Sequence, residues 1–263
     1  MTDLPICPAP LATAFVRRAM LALGAAWAVR PGPASAAWPG QPAAIPPKPT
    51  FPTETPDSLA RRQRSNAALR AAGVPVLESL PVLPSLADVT ERTRDEVAHR
   101  IKCLAVVGVV SEEASAGPKA MARLKLAPAD FTPREQLFLQ TNDPVPAQRA
   151  YFNWHYECLP VLMWSQGTWT MAPPADLVDV RPLTRTVLDV YGAGKPLAVQ
   201  PRPLAEVLDM ADLVYRQHWA ATNARINGKP PVPGLNEEVL VERHRALGWL
   251  TGGAAWDDVD LST

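Results

Sequence analysis

Leu204-Ala-Glu-Val-Leu-Asp-Met-Ala-Asp-Leu-Val-Tyr-Arg-Gln-His-Trp-Ala-Ala-Thr-Asn-Ala-Arg-Ile226 is the stretch that decides the fold class. Within it Leu204, Leu208, Ala211, Tyr215, His218 and Thr222 recur at intervals of three and four residues. That period lays them along one stripe of a helix, and neither Pro nor Gly interrupts the run. Working outward, the same period reappears wherever start and stop signals bracket it. Asn236 is placed to cap a helix that runs through Leu250 and ends at Gly252-Gly253. Thr93-Arg-Asp-Glu96 and Thr132-Pro-Arg-Glu135 are capping boxes, the second with Pro at the first helical position, where its missing N–H is harmless. The first of these helices buries Val97, Ile101, Leu104 and Gly108. Asp57 to Ala72 reads as an amphipathic helix closed by Gly73.

Ala147 to Gln166 is helical by pattern but contains Pro160, which predicts a kink or break near Tyr156. Leu104 to Val110 has strand propensity, yet it continues a capped helix and is read as one. No run of alternating strands is found. The expected class is all-α, a single bundle of about seven helices over residues 57–263.

The rest of the chain has a different character. The 263 residues are 47% hydrophobic and 20% charged, which is enough apolar material for a core and excludes wholesale disorder. The formal net charge is zero, which argues against a protein that neutralises phosphates, so no nucleic-acid partner is expected. Arg17-Arg18 precede the apolar stretch Ala19 to Val29, which is too short to span a bilayer but has the length of a signal-peptide core. Ala34-Ser35-Ala36 then offers the small residues that a signal peptidase accepts. Residues 1–36 are therefore expected to be a cleaved export signal, of twin-arginine or Sec type, with a periplasmic or secreted product; the arginine pair lacks the Ser before it and the Phe-Leu after it that a twin-arginine signal usually carries. Residues 37–56 are rich in Pro, which favours an extended linker.

No H-E-x-x-H, C-x-x-C, G-x-S-x-G or nucleotide-binding signature is present, so no motif assigns a metal or a cofactor. What remains is a concentration of His, Trp and charged residues in three C-terminal segments. These are Trp154-His-Tyr-Glu-Cys158, Tyr215-Arg-Gln-His-Trp219 and Glu242-Arg-His-Arg-Ala-Leu-Gly-Trp-Leu250. His218 lies on the apolar stripe described above. Glu242 shares a stripe with Val239, Ala246 and Trp249, and His244 shares one with Leu240 and Leu247. Polar groups so placed are at least partly buried and must find partners.

Two readings follow. In one, Glu242, Glu157 or Asp212 holds Arg216, His218 or Arg243 in a structural network. In the other, His218 and His244, with Glu157 or Glu242, act as acid and base in a hydrolase-like pocket or ligate a metal. Trp154, Tyr215, Arg216, Trp219, Arg243 and Trp249 are the candidate binding residues for a protein or small-molecule ligand. Cys103 and Cys158 sit on apolar stripes mid-helix, which favours free buried thiols over a bridge.

Arg64-Ser-Asn66, Gly73-Val-Pro75, Leu80-Pro81 and the three segments above, with the closing Trp256-Asp-Asp-Val259, resemble the bacterial family called domain of unknown function 4272. The similarity covers roughly residues 60–263. Pro160 departs from the family pattern, which tends to carry a large apolar residue there. The resemblance implies no assigned activity, and most members look cytosolic, so the export signal is an addition here. The leading expectation is an exported binding module, with the acid–base enzyme as its alternative.

Overall fold

The computed structural model describes residues 52–192 and 200–263. The expected signal, and the linker up to residue 51, lie outside the described residues. The helices are α1 (Pro56–Ala71), α2 (Arg94–Glu112), α3 (Gly117–Leu124), α4 (Pro133–Gln140), α5 (Pro146–Trp154), α6 (Cys158–Ser165), α7 (Val180–Thr186), α8 (Leu204–Ile226) and α9 (Glu237–Thr251). No strand occurs among the described residues. The class is all-α, as the apolar period requires. Short helices divide the chain more finely than the expected seven, α3 and α7 having too few turns to show a period.

Side chains fix the helix ends. Thr93 accepts from the Glu96 amide at 3.2 Å while the Glu96 carboxylate accepts from the Thr93 amide at 2.7 Å. Thr132 and Glu135 repeat the arrangement at the start of α4. Asn236 accepts from the amides of Glu238 and Val239. Gly73, at φ +71°, takes the left-handed conformation just past α1 that a side chain would disfavour.

Pro160 has no N–H to offer the Tyr156 carbonyl, and at this point the helix breaks. α5 stops at Trp154, a tight turn spans His155–Glu157, and α6 resumes at Cys158. The turn re-aims the chain so that His155, Tyr156, Glu157 and Cys158 are all buried.

α2 and α6 form the centre. Every residue from Cys103 to Val107 is buried, as is every residue of α6, so neither helix keeps a polar face over those stretches. α5 packs on α2, α9 packs on α6, α8 packs on α9, and α1 packs on α8. The architecture is a stack of helices with the C-terminal hairpin α8–α9 between the centre and α1.

Candidate functional site

α9 carries the site residues on more than one face, because its position between α6 and α8 leaves little of it in water. Glu242, Arg243, His244 and Arg245 are consecutive, and all four are buried. Glu242, Arg243 and His244 face different neighbours, and Arg245 pairs with Glu242.

His244 turns toward α8. Its Nδ1 lies 3.0 Å from Nδ1 of His218, and both rings are buried. Tyr215 lies against His244, ring centres 5.5 Å apart. Burial pushes the His218 imidazole down to about 4 and, with His218 beside it, His244 down to about 3. Both are neutral near pH 7, so one ring donates its N–H and the other accepts.

Glu242 turns toward α6. Its Oε2 accepts from the Cys158 thiol at 3.2 Å and from Arg245 Nε at 3.1 Å. His155 Nε2 stands 4.0 Å from the same oxygen. Neither His155 ring nitrogen has a hydrogen-bond partner among the described residues. Burial, and then Arg245, Arg100 and Arg134, hold this imidazole well below its ordinary range. Burial and the Glu242 carboxylate raise the Cys158 thiol well above its ordinary range, which is the opposite of what activates a nucleophile. Nearby, Arg100 pairs with Glu135 in the interior and lies over the Trp256 ring at 4.9 Å.

Arg243 turns toward the segment after α6 and donates to the carbonyls of Ala172 and Pro173 at 3.0 and 3.3 Å. Glu157, whose charge is felt at Arg243, accepts from the Val178 amide at 3.0 Å. Together they tie residues 172–178 to the core.

The four candidate acid–base residues therefore occupy three places. His218 and His244 meet each other; Glu242 meets Cys158, Arg245 and the edge of His155; Glu157 meets Val178 and Arg243. Of the candidate binding residues, Arg216 is buried in a two-point ion pair with Asp212, at 2.8 and 3.0 Å, and donates to the Pro81 carbonyl. Trp249 is buried beneath Arg92, whose guanidinium lies 4.8 Å from its ring centre. Trp219 packs at the edge of the cluster formed by Leu69, Val74, Ala220, Ala224 and Val232. Trp154 is half-buried. Among the described residues, no group of three or more His, Cys, Asp and Glu is arranged to hold a metal ion. Both described cysteines are free and buried.

Sequence reading missed the side chains that line a cleft beside this network. It is lined by the polar Glu91, Arg92, Gln166 and Arg202 and by the apolar Val97, Leu204, Val207 and Leu250. The space is about 280 Å³ counting the part open to solvent, with an inner core of about 20 Å³. That core has room for a single water. Arg202 lies over Trp164 at 4.8 Å, donates to the Trp164 carbonyl and pairs with Glu206. Arg92 donates to the carbonyls of Trp249, Gly252 and Ala254. Each guanidinium is thus held on an indole face, and each stands against a carboxylate as well, Arg202 against Glu206 and Arg92 at 4.0 Å from Glu96. The guanidinium–indole pairing needs residues far apart in sequence, so no local pattern signals it.

Neither a curated protein nor a solved structure matches the chain. A family model does, that of the domain of unknown function DUF4272, over residues 61–259, which spans all the helical segments just described except the first turn of α1. The chain belongs to that family.

Proposed function

We propose that this chain is an exported helical module that binds an anionic ligand without transforming it. The observation that carries the binding reading is the open cleft lined by Arg92 and Arg202, where two guanidinium groups are fixed on indoles beside apolar side chains, each with one carboxylate partner, Glu96 and Glu206. A fixed guanidinium loses little further freedom when it meets a carboxylate or phosphate, and its fork geometry suits both. The imidazoles support the same reading from the other side. His155, His218 and His244 are buried, and none of the three lines this cleft. Export is supported by the arginine pair ahead of the short apolar run and by Ala34-Ser35-Ala36.

The test of binding uses the full chain, with malonate and inorganic phosphate as probes and tryptophan fluorescence as the signal. Saturable quenching is expected, with affinity about tenfold weaker in Arg202→Gln, and probe recovered unchanged by mass spectrometry. No saturable response, or conversion of the probe, overturns the reading. Export is checked separately: N-terminal sequencing of protein from the periplasm should begin near Ala37, and an intact Met1 found only in the cytosol contradicts it.

A further inference from the structure

α1 packs chiefly on α8, and α8 packs chiefly on α9. The outer layer made of α1 and α8 is therefore held to the centre along the α8–α9 seam and, just ahead of α8, by Arg202, which bonds the Trp164 and Ser165 carbonyls of α6. Within the outer layer two ion pairs join the helices: Arg61 and Arg64 of α1 both reach Asp209 of α8. Across the seam the side-chain bonds fall at two places. At its outer end Thr222 and Arg225 donate to the Glu237 carboxylate, at 3.1 and 2.8 Å. Further in, the bond is the His218–His244 contact at 3.0 Å.

An N–H···N bond needs one nitrogen with a proton and one without. If the pair gains a single proton, an imidazolium still donates to an imidazole. With a second proton both nitrogens are donors, the bond is gone, and two like charges face each other in a dry seam. The groups around the pair set the balance. From the C-terminal segment Asp260 favours a proton on His244, while Arg245 of α9 opposes it. From α8, Arg225 opposes a proton on His218, and Tyr215 covers the His244 ring without a charge near pH 7.

We propose that the His218–His244 pair is an acid-operated latch, closed near neutral pH, whose double protonation frees the α1–α8 layer from α9 while the α2–α6 centre stays folded. The carboxylate at the outer end of the seam cannot perform this role alone, because Glu237 is partly in water and its loss removes an attraction without adding a repulsion. Burial sets the working range: with His218 at about 4 and His244 at about 3, the latch opens only in distinctly acidic surroundings.

Hydrogen–deuterium exchange of the full chain, followed by mass spectrometry and corrected for the intrinsic effect of pH, tests the latch. Between pH 7 and pH 2.5, amides of α1 and α8 should lose about tenfold or more protection while those of α2 and α6 keep theirs. Equal loss everywhere, or no loss in α1 and α8, overturns the proposal. In His218→Leu/His244→Leu the seam cannot take a proton, and the acid-induced loss in α1 and α8 should vanish. His244→Asn, a smaller change that leaves an uncharged amide beside His218, should blunt it likewise. Glu237→Gln should leave it intact. Acid opening that persists in the histidine variants, or disappears in Glu237→Gln, refutes the latch.

Discussion

The ring of Tyr156 occupies the space where a side chain at Gly108 would begin: a Cβ built on Gly108 falls 2.5 Å from two of its ring carbons. Tyr156 is fully buried and cannot swing aside, and it stands at the break that Pro160 imposes. One small residue in α2 thus sets how closely the turn bearing His155 and Cys158 approaches the centre.

Gly108→Ala should accordingly destabilise the domain, even though Ala is the better helix former by about 1 kcal/mol. Overpacking of this kind costs about 1–3 kcal/mol, and a 2.5 Å approach to a buried ring belongs at the upper end, so a net loss of roughly 2 kcal/mol is expected. Urea denaturation measures it. A Gly108→Ala protein as stable as the parent would show that the contact is not tight.

Breaking the Arg100–Glu135 pair from one side leaves a buried charge alone. Arg100→Ala or Glu135→Ala should each cost about 3–5 kcal/mol, whereas Arg100→Met/Glu135→Leu should recover most of that loss. Thermal unfolding of the three variants checks the order. Equal losses in single and double variants would mean that packing, not charge, is what matters there.

The caps of α2, α4 and α9, the break near Tyr156 and the bounds of α8 were all legible in the sequence, because each depends on residues within about four positions of one another. Partner choice was legible only where it is equally local. Asp212 and Arg216 share one helical face at i,i+4 and do pair. Arg100 with Glu135, Cys158 with Glu242, and Arg92 with the carbonyls after Trp249 join elements far apart in the chain. The stripes through His218 and His244 showed that both would be buried, and the hairpin α8–α9 brought them together. Nothing in their spacing showed that Glu157 and Glu242 would turn to other neighbours.

Stability should fall as the solution is acidified. For a histidine whose folded value is depressed, the unfolded chain takes up a proton near its ordinary 6.5 while the folded one does not. The contribution of His218 and His244 is therefore full above about pH 6.5 and is lost progressively toward about pH 3, where the folded form also protonates. A loss on the order of a few kcal/mol is expected over that window, read from urea midpoints in steps of pH. His218→Leu/His244→Leu should flatten the slope between pH 6.5 and pH 5. An unchanged slope would assign it to other groups.

Neither described thiol should react in the native state. Burial pushes Cys103 up to about 12 and Cys158 well above its ordinary range, so almost no thiolate exists at pH 8. A chromogenic disulfide reagent should label both only after unfolding in guanidinium. Rapid labelling of Cys158 in the folded protein would mean that solvent reaches the Glu242 cluster.

That cluster and the histidine seam rest on the same statement, that three imidazoles are held dry and uncharged inside the C-terminal half of the fold. Nitrogen-15 NMR of the ring nitrogens, recorded on the native protein from pH 8 down to pH 5, reads this directly. His155, His218 and His244 should each keep one protonated and one unprotonated nitrogen throughout. If any of the three gains charge near the ordinary value of 6.5, its ring is in water, and the account of the interior is wrong.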